Sequence, residues 1–260
     1  MKFFSAIVGF FKSLFGIGGS GDCDDCHEKA CQTTDKNKKY VVIVGMEQSK
    51  WGSCPGSDKD SNTMLGLIQQ YVNSDHIVKL NNGKATVEAV RKALTEQIAK
   101  VPEDGLMIFT YSGHGGQNPK GTSKDETDGQ DEFLCLYDGK MIDDELWTIF
   151  SQCGGRTLFI VDACHSSTMY RLPSEEIDET LDDAENRLPI DGPFMGRFEN
   201  VRAAVRLLCI SGCGEETVSW GDAQNGGVLT SSMKRAFNKC LTYREWWNKF
   251  KTDSAFKKVK

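Results

Sequence analysis

The chain has 260 residues, with 31 lysines and arginines against 37 aspartates and glutamates, which gives a formal net charge of −6. This length suits one large domain or a domain with an appendage, and the composition is that of a soluble globular protein. Disordered, collagen-like and integral membrane proteins are therefore excluded. The acidic balance argues against a nucleic-acid partner, because phosphate binding needs a clustered basic face. Ten scattered cysteines are too few for a disulfide scaffold, so we expect mostly buried thiols and an intracellular, cytoplasmic protein.

The first 17 residues differ from the rest of the chain. Lysine, serine and glycine fall on one narrow stripe of a helix, and apolar side chains fill the remaining circumference. Such a helix is too short to span a bilayer but can lie in a membrane interface. We expect residues 2–17 to associate with a membrane surface in this way. A signal peptide, or a helix packed on its own domain, is the alternative.

Residues 18–38 are predicted to be a linker that contains cysteines. Cys23, Cys26, His27 and Cys31 have the spacing of a c-type haem attachment site and offer four zinc ligands. Haem would need an export route and a distal ligand, and a zinc site would have only one Cys-x-x-Cys arm. We therefore expect neither haem nor zinc.

From about Lys39, short apolar runs alternate with amphipathic stretches. The runs predict buried strands at 40–45, 77–80, 106–111, 157–161 and 207–211. The amphipathic stretches predict helices at 60–72, 85–100, 142–150 and 229–239. This alternation predicts an α/β fold with a mostly parallel central sheet, whose site lies beyond the carboxyl ends of the strands.

The segment 171–199 interrupts the alternation. It contains nine acidic residues, three of the six prolines, and the arginines Arg171, Arg187 and Arg197. We predict a long exposed connection in which a proteolytic site would be accessible.

Two of the predicted strands run into residues that can carry chemistry. These are Ser112-Gly-His114-Gly-Gly116 and Asp162-Ala-Cys164-His-Ser166. A histidine among glycines has little packing to do, and the glycines leave backbone N–H groups available to a ligand. The two segments together favour a Cys164/His114 pair, with His165 as the rival base.

These two segments resemble the catalytic signature of the metacaspases, the caspase-like cysteine peptidases. Further blocks at 125–132, 142–146, 226–230 and 243–245 match in order and approximate spacing, so the resemblance covers about residues 40–250. It implies a caspase-like three-layer sandwich, in a compact form without a recognisable long prodomain. Residues 39–170 would be the large-subunit-like region, 171–199 the processing loop and 200–260 the small-subunit-like region.

The resemblance implies a cysteine endopeptidase with a catalytic dyad. His114 would accept the proton of Cys164, and the backbone N–H groups of Cys164 and Gly115 would bind the oxyanion. It also implies a pocket lined by Asp60, Ser112 and Asp162. Two carboxylates there would select arginine or lysine before the cleaved bond and repel acidic residues. A charge at a helix N-terminus is the alternative role for Asp60.

Calcium is the cofactor that the resemblance suggests. Its ligands would be Asp131, Asp143 and Asp144, which offer hard oxygen atoms. Arg171 stands where the family has a fourth aspartate, and this cation would weaken or abolish the site. Asp143 and Asp144 are equally interpreted as a helix cap and a first-turn charge, so both interpretations stay open.

The resulting hypothesis is an autoprocessed endopeptidase, active as a monomer on polypeptides with arginine or lysine at the cleaved position. The alternative is a non-catalytic caspase-like scaffold that is anchored by its N-terminal helix and binds partners through its acidic loop.

Overall fold

The computed structural model describes residues 35–118, 132–163, 195–199, 206–212, 221–236, 249 and 252–253, of which 195–199, 206 and 208 are described by backbone alone. Several sequence predictions lie outside these residues: the helix at 2–17, the cysteines from Cys23 to Cys31, Asp131, Cys164, His165, Arg171 and Arg187.

Strands and helices alternate through the described residues. In chain order they are β1 (Lys39–Gly45), β2 (Gln48–Ser49), β3 (Gly52–Ser53), α1 (Ser57–Ile68), β4 (Ile77–Asn81), α2 (Val87–Ile98), β5 (Leu106–Ser112), β6 (Gly115–Gln117), β7 (Glu132–Cys135), β8 (Lys140–Ile142), α3 (Asp143–Phe150), β9 (Arg156–Asp162), β10 (Met195–Glu199), β11 (Arg206–Ser211), β12 (Gly221–Asp222), β13 (Gly226–Gly227) and α4 (Val228–Ala236). The five predicted strands and four predicted helices are all present, with helix ends that shift by up to four residues.

The central sheet has six strands in the order β10-β11-β9-β5-β1-β4. The five strands from β11 to β4 are mutually parallel, and β10 pairs antiparallel at the edge. Parallel strands are buried on both faces, which explains why each predicted strand is a continuous apolar run.

Helices cover both faces of the sheet and make it the middle of three layers. On one face α1 and α4 pack against one set of alternating strand residues, which includes Val41 and Ile43. On the other face α2 and α3 pack against the other set, which includes Val42 and Val44. Because successive strand side chains point to opposite faces, one apolar run supplies both cores. The predicted α/β three-layer sandwich is confirmed.

A second, three-stranded antiparallel sheet is formed by β6, β7 and β8 directly after β5. Its side chains Leu134 and Met141, together with Leu136 directly after β7, belong to the core on the α2/α3 face. The sheet therefore lies on that face, beside the carboxyl end of β5. Along the part of the chain that the structure describes, none of the helices is long and apolar enough to cross a bilayer.

Candidate active site

The carboxyl ends of β5 and β9 lie side by side in the central sheet. Ser112 is the register partner of Asp162, so the two segments that follow these strands start from adjacent positions. His114 comes two residues after Ser112. Cys164 comes two residues after Asp162 but lies outside the described residues. The parallel register thus gives a physical reason for the pairing that the sequence suggested.

A hydrogen bond at one ring nitrogen holds the imidazole of His114 in place. Its Nε2 lies 3.0 Å from the carbonyl oxygen of Ser53 on β3. A carbonyl can only accept a hydrogen bond, so Nε2 carries the proton and Nδ1 of the neutral ring has its lone pair available. The half-buried His114 is therefore held in the tautomer that a general base requires. Sequence reasoning missed Ser53 because a backbone carbonyl has no residue-type signature.

The backbone on both sides of His114 is held by close packing. The buried Tyr111 hydroxyl lies 2.7 Å from the carbonyl oxygen of His114 and 2.8 Å from that of Cys135. A Cβ atom on Gly113 would come within 2.6 Å of that hydroxyl and 2.8 Å of the Met46 Cβ. Position 113 therefore admits only glycine without a shift of these neighbours.

Gly115 is oriented by the ladder between β6 and β7. The N–H of Cys135 donates to the carbonyl of His114, which makes residues 114 and 135 a hydrogen-bonded pair. Gly115 faces Leu134 in the next, non-hydrogen-bonded pair, so its N–H points away from β7. This group is available to an oxyanion, as the predicted role of Gly115 requires.

Asp60, Ser112 and Asp162 meet in one buried cluster, although α1, β5 and β9 supply one residue each. The Ser112 hydroxyl donates to Asp60 Oδ2 at 2.7 Å. The Gly227 N–H lies 2.9 Å from both carboxylate oxygens of Asp60. Asp162 Oδ2 accepts from the backbone N–H of Thr230 at 3.0 Å and from its hydroxyl at 3.2 Å. Each carboxylate thus has donors inside the protein.

Burial raises the pKa of Asp60 to about 7, and the negative charge of Asp162 contributes in the same direction. The hydrogen bonds from Ser112 and Gly227 oppose this shift because they stabilise the ionised form. A cation between the two carboxylates would relieve both unfavourable effects. The electrostatics of the cluster therefore favour a positively charged ligand.

Gly226 and Gly227 lie directly against the two carboxylates. A Cβ atom on Gly226 would overlap Asp60, and one on Gly227 would overlap Asp162. Gly226 also has φ of +78°, which side chains other than glycine rarely adopt. Gly227 and Thr230 fall in the 226–230 block, but their residue types alone predict no role beside the carboxylates.

Of the three predicted calcium ligands, the structure describes Asp143 and Asp144. They open α3, where Asp143 is buried and Asp144 is exposed. On the adjacent strand, the Glu132 side chain is buried, and among the described residues its Oε2 has no hydrogen-bond partner. Glu132 and Asp143 flank the paired residues Phe133 and Ile142. Within the described ranges, no group of three or more metal-binding side chains is assembled.

The chain is similar to known proteins of one family. A family model described as the caspase domain matches residues 38–259. Metacaspase-3 of Arabidopsis thaliana is 33% identical over 152 residues, which cover 52% of this chain and 42% of that protein. Metacaspase-1A of Aspergillus niger is 28% identical over 152 residues, which cover 52% of this chain and 37% of that protein. The chain thus spans about two fifths of the length of these curated relatives.

Solved structures share the fold. A Geobacter sulfurreducens protein of known crystal structure matches with a TM-score of 0.61 and 24% identity, over 82% of this chain and 88% of that one. Caspase-1 from Spodoptera frugiperda matches with a TM-score of 0.50 and 17% identity, over 77% of this chain and 69% of that one.

The contact between Gly227 and the carboxylates predicts a specific cost of adding one methyl group. Gly227→Ala would force Asp162 or β13 to move, and we expect a loss of about 1–3 kcal/mol in the free energy of unfolding. Gly66→Ala is the matched control, because a Cβ there meets nothing within 4 Å and Gly66 lies inside α1. We expect that variant to gain up to about 1 kcal/mol. Urea denaturation measures both, and equal stabilities of the two variants would contradict the packing argument.

Proposed function

The chain belongs to the caspase domain family, and on this basis we propose that it is a cysteine endopeptidase that hydrolyses peptide bonds after arginine or lysine. The observation that carries the proposal is the shared location of two features. A histidine with an available Nδ1 and a buried pair of carboxylates both lie at the carboxyl edge of β5 and β9. The first feature supports nucleophilic catalysis, and the second supports selection of a cationic side chain.

In the proposed reaction, Nδ1 of His114 accepts the proton of the Cys164 thiol. The thiolate attacks the carbonyl carbon of the substrate, and the backbone N–H of Gly115 stabilises the negative charge on its oxygen. His114 then gives its proton to the leaving amine, and water hydrolyses the resulting thioester. The bond from His114 Nε2 to the Ser53 carbonyl keeps the ring in place during both proton transfers.

Selectivity would come from Asp60 and Asp162. Each carboxylate oxygen has two lone pairs, so a bound guanidinium or ammonium can be accepted in addition to the protein donors. An acidic substrate side chain in the same pocket would add a third negative charge in a site of low dielectric constant. The proposal therefore includes strong rejection of substrates with aspartate before the cleaved bond.

Processing of the chain itself is part of the proposal. The segment 171–199 supplies three arginines that the pocket would accept. The backbone of Arg197 is paired in β10, with Leu208 of β11 as its register partner, so cleavage after it would require this edge strand to separate. Cleavage would therefore occur after Arg171 or Arg187.

A fluorogenic peptide series tests the activity. Peptides with arginine, lysine or aspartate before the cleaved bond are compared on the wild type, Cys164→Ala and Asp162→Asn. We expect activity on arginine and lysine, none on aspartate, and none at all in Cys164→Ala. Asp162→Asn should reduce kcat/KM for arginine by about 10- to 100-fold, because it removes one charge of the pocket.

Two outcomes of that series would overturn the proposal. Hydrolysis that persists in Cys164→Ala would assign the activity to another group, and a preference for aspartate would refute the pocket assignment. A protein without any peptidase activity would favour the scaffold alternative. Intact mass of the same samples tests processing, since the wild type should be cut and Cys164→Ala should remain full length.

The raised pKa of Asp60 predicts a pH dependence of selectivity. Below about pH 7 Asp60 is protonated, so the pocket has less negative charge and binds a cation more weakly. The ratio of kcat/KM for arginine to that for the neutral isostere citrulline should therefore rise as pH increases through about 7. Any effect of pH on the catalytic step that is common to both substrates cancels in the ratio. Asp60→Asn should give a ratio independent of pH, and a sloping ratio in that variant would contradict the assignment to Asp60.

We further propose calcium as a structural ion that Asp131, Asp143 and Asp144 would hold outside the active site. The buried Glu132 oxygen without a hydrogen-bond partner, next to Asp143, supports a cation in this area. Bound calcium would neutralise these carboxylates and stabilise the β7–β8–α3 region.

Thermal unfolding tests the calcium site without reference to activity. Calcium at a large excess over its dissociation constant should raise Tm by about 5–10 °C. Asp143→Asn should abolish this shift, whereas Asp75→Asn, which changes an exposed carboxylate in a short turn, should retain it. The absence of any calcium-dependent shift in the wild type at millimolar concentrations would refute the site.

A further inference from the structure

We propose that a surface beside His114, formed by the exposed Trp51 and Lys50 and the partly exposed Lys140 over the buried Phe133 ring, binds the residues that follow the cleaved bond. We call it the Trp51 platform. Its proposed occupant is the segment Leu188-Pro-Ile-Asp191, which follows Arg187 in this chain. This inference rests on the proposed function and adds to it a preference for an apolar and then an acidic residue after the cleaved bond.

The platform is a rigid aromatic surface. Trp51 is 37% exposed, although its Nε1–H donates to the carbonyl of Leu136 at 3.1 Å. Its ring lies 6.2 Å from the ring of Phe133, measured between centroids. Phe133 in turn packs against Gly116, where a Cβ atom would come within 2.8 Å of the phenyl ring. An anchored ring with an exposed face is suited to an apolar side chain.

Two ammonium groups lie at the platform. Lys50 Nζ is 4.8 Å from the centroid of Trp51, and Lys140 Nζ is 5.5 Å from Trp51 and 3.8 Å from Phe133. Their hydrogen bonds go to neutral oxygens: Lys50 donates to the carbonyl of Asp138 and Lys140 to Oδ1 of Asn118. Among the described residues, neither lysine forms an ion pair with a carboxylate. Their charges are therefore available to an acidic ligand.

The location assigns the platform to the leaving-group side of the cleft. The acidic pocket of Asp60 and Asp162 is covered by α1 and α4, on one face of the central sheet. Phe133, the ring beneath the platform, lies on β7, and the neighbouring β7 residue Leu134 belongs to the core on the opposite face. His114 lies between the pocket and the platform, bonded through Nε2 to the β2–β3 hairpin that carries Trp51 and through its carbonyl to Cys135 of β7.

This order of features sets the direction of the substrate. If the side chain before the cleaved bond enters the acidic pocket, the departing amine lies at His114, which protonates it. The chain attached to that amine then continues away from the pocket and reaches the platform. Residues after the cleaved bond therefore meet an aromatic surface first and two cations beside it.

The acidic segment has the composition that this surface would select. Arg171 and Arg187 are each followed by leucine and proline and then by an acidic residue at the fourth position, Glu175 and Asp191. Arg171 is only seven residues after Cys164, so its preceding residues would have to enter the cleft together with the nucleophile's own loop. Arg187 is 23 residues after Cys164 and avoids this conflict. Charge complementarity and chain length together favour the segment after Arg187.

Quenched fluorescent peptides that cover residues 184–192 test the proposal in the full-length protein. Three versions carry the natural Asp191, asparagine or lysine at that position. The wild type should prefer the aspartate peptide over the asparagine peptide by about fivefold in kcat/KM. Lys140→Gln should lose this preference, with a ratio of the two kcat/KM values of about 1. Lys140→Glu should prefer the lysine peptide. Lys92→Gln, which changes an exposed lysine on α2, should keep the wild-type preference.

Trp51→Ala tests the aromatic part, with glycine in place of Leu188 in the peptide. The wild type should prefer leucine by about tenfold, and the variant should lose most of this preference. Circular dichroism checks that the variant is folded. If it is not, the Lys140 variants still decide the question, because that side chain is partly exposed and not part of the core.

The inference would be wrong if Lys140→Glu kept the wild-type preference for aspartate. Failure of the proposed function is a separate outcome, in which the wild type cleaves none of the peptides. In that case, fluorescence anisotropy with a labelled peptide of residues 188–192 decides the question of binding. Weaker binding to Lys140→Glu than to Lys92→Gln would support the platform, and equal binding to both would refute it.

Discussion

Two carboxylates buried side by side, Asp60 and Asp162, are the constraint on which the candidate site depends. Each must exchange water for donors from the protein. Those donors come from Ser112 in the central sheet, from Gly227 of β13 and from Thr230 in the first turn of α4. These hydrogen bonds hold the segment 221–236 against the strands that carry the site.

Burial of the two carboxylates also has an electrostatic cost. With a pKa of about 7, Asp60 makes the folded state less stable as pH rises from about 4 through 7, because the unfolded chain binds fewer protons in that range. A bound cation would offset that cost. The proposed pocket would thus lower the stability of the folded protein and raise its affinity for a cationic side chain.

The parts of the fold that sequence could predict are those with strong hydrophobic periodicity. The strands around Val41, Phe109 and Phe159 are continuous apolar runs because both of their faces are buried. The helices show one apolar side, as in α2, where Val90, Leu94 and Ile98 face the core. The alternation of strands and helices along the chain then restricts the topology to a parallel sheet with helices on both faces. The positions of His114 and Asp162 follow from that topology, since ligand sites lie at the carboxyl ends of such strands.

The parts that sequence could not predict are short and are held by backbone groups. The strands β2, β3, β12 and β13 have two residues each, which is too short for any periodic signal. Yet these strands supply the Ser53 carbonyl and the Gly227 N–H, two groups that orient His114 and Asp60. A backbone atom is common to all residue types, so no motif marks it. The proposed pocket role of Asp60 was suggested only by the metacaspase resemblance, because its position on α1 equally fits a first-turn charge.

In the proposed site, the two faces of the central sheet bind different parts of the substrate. Selection of the cationic side chain would take place on the α1/α4 face, in a closed pocket where charges are desolvated and their interactions strong. The leaving group would depart over the α2/α3 face, where the platform is open to solvent and the lysines are screened. Weak recognition after the cleaved bond would let the amine product leave, while the acyl group stays attached to Cys164 through the thioester. His114 lies at the border of the two faces, and the Ser53 carbonyl that orients it belongs to the hairpin that also carries Trp51. The six-residue hairpin from Gln48 to Ser53 would thus link the proposed platform to the proposed general base.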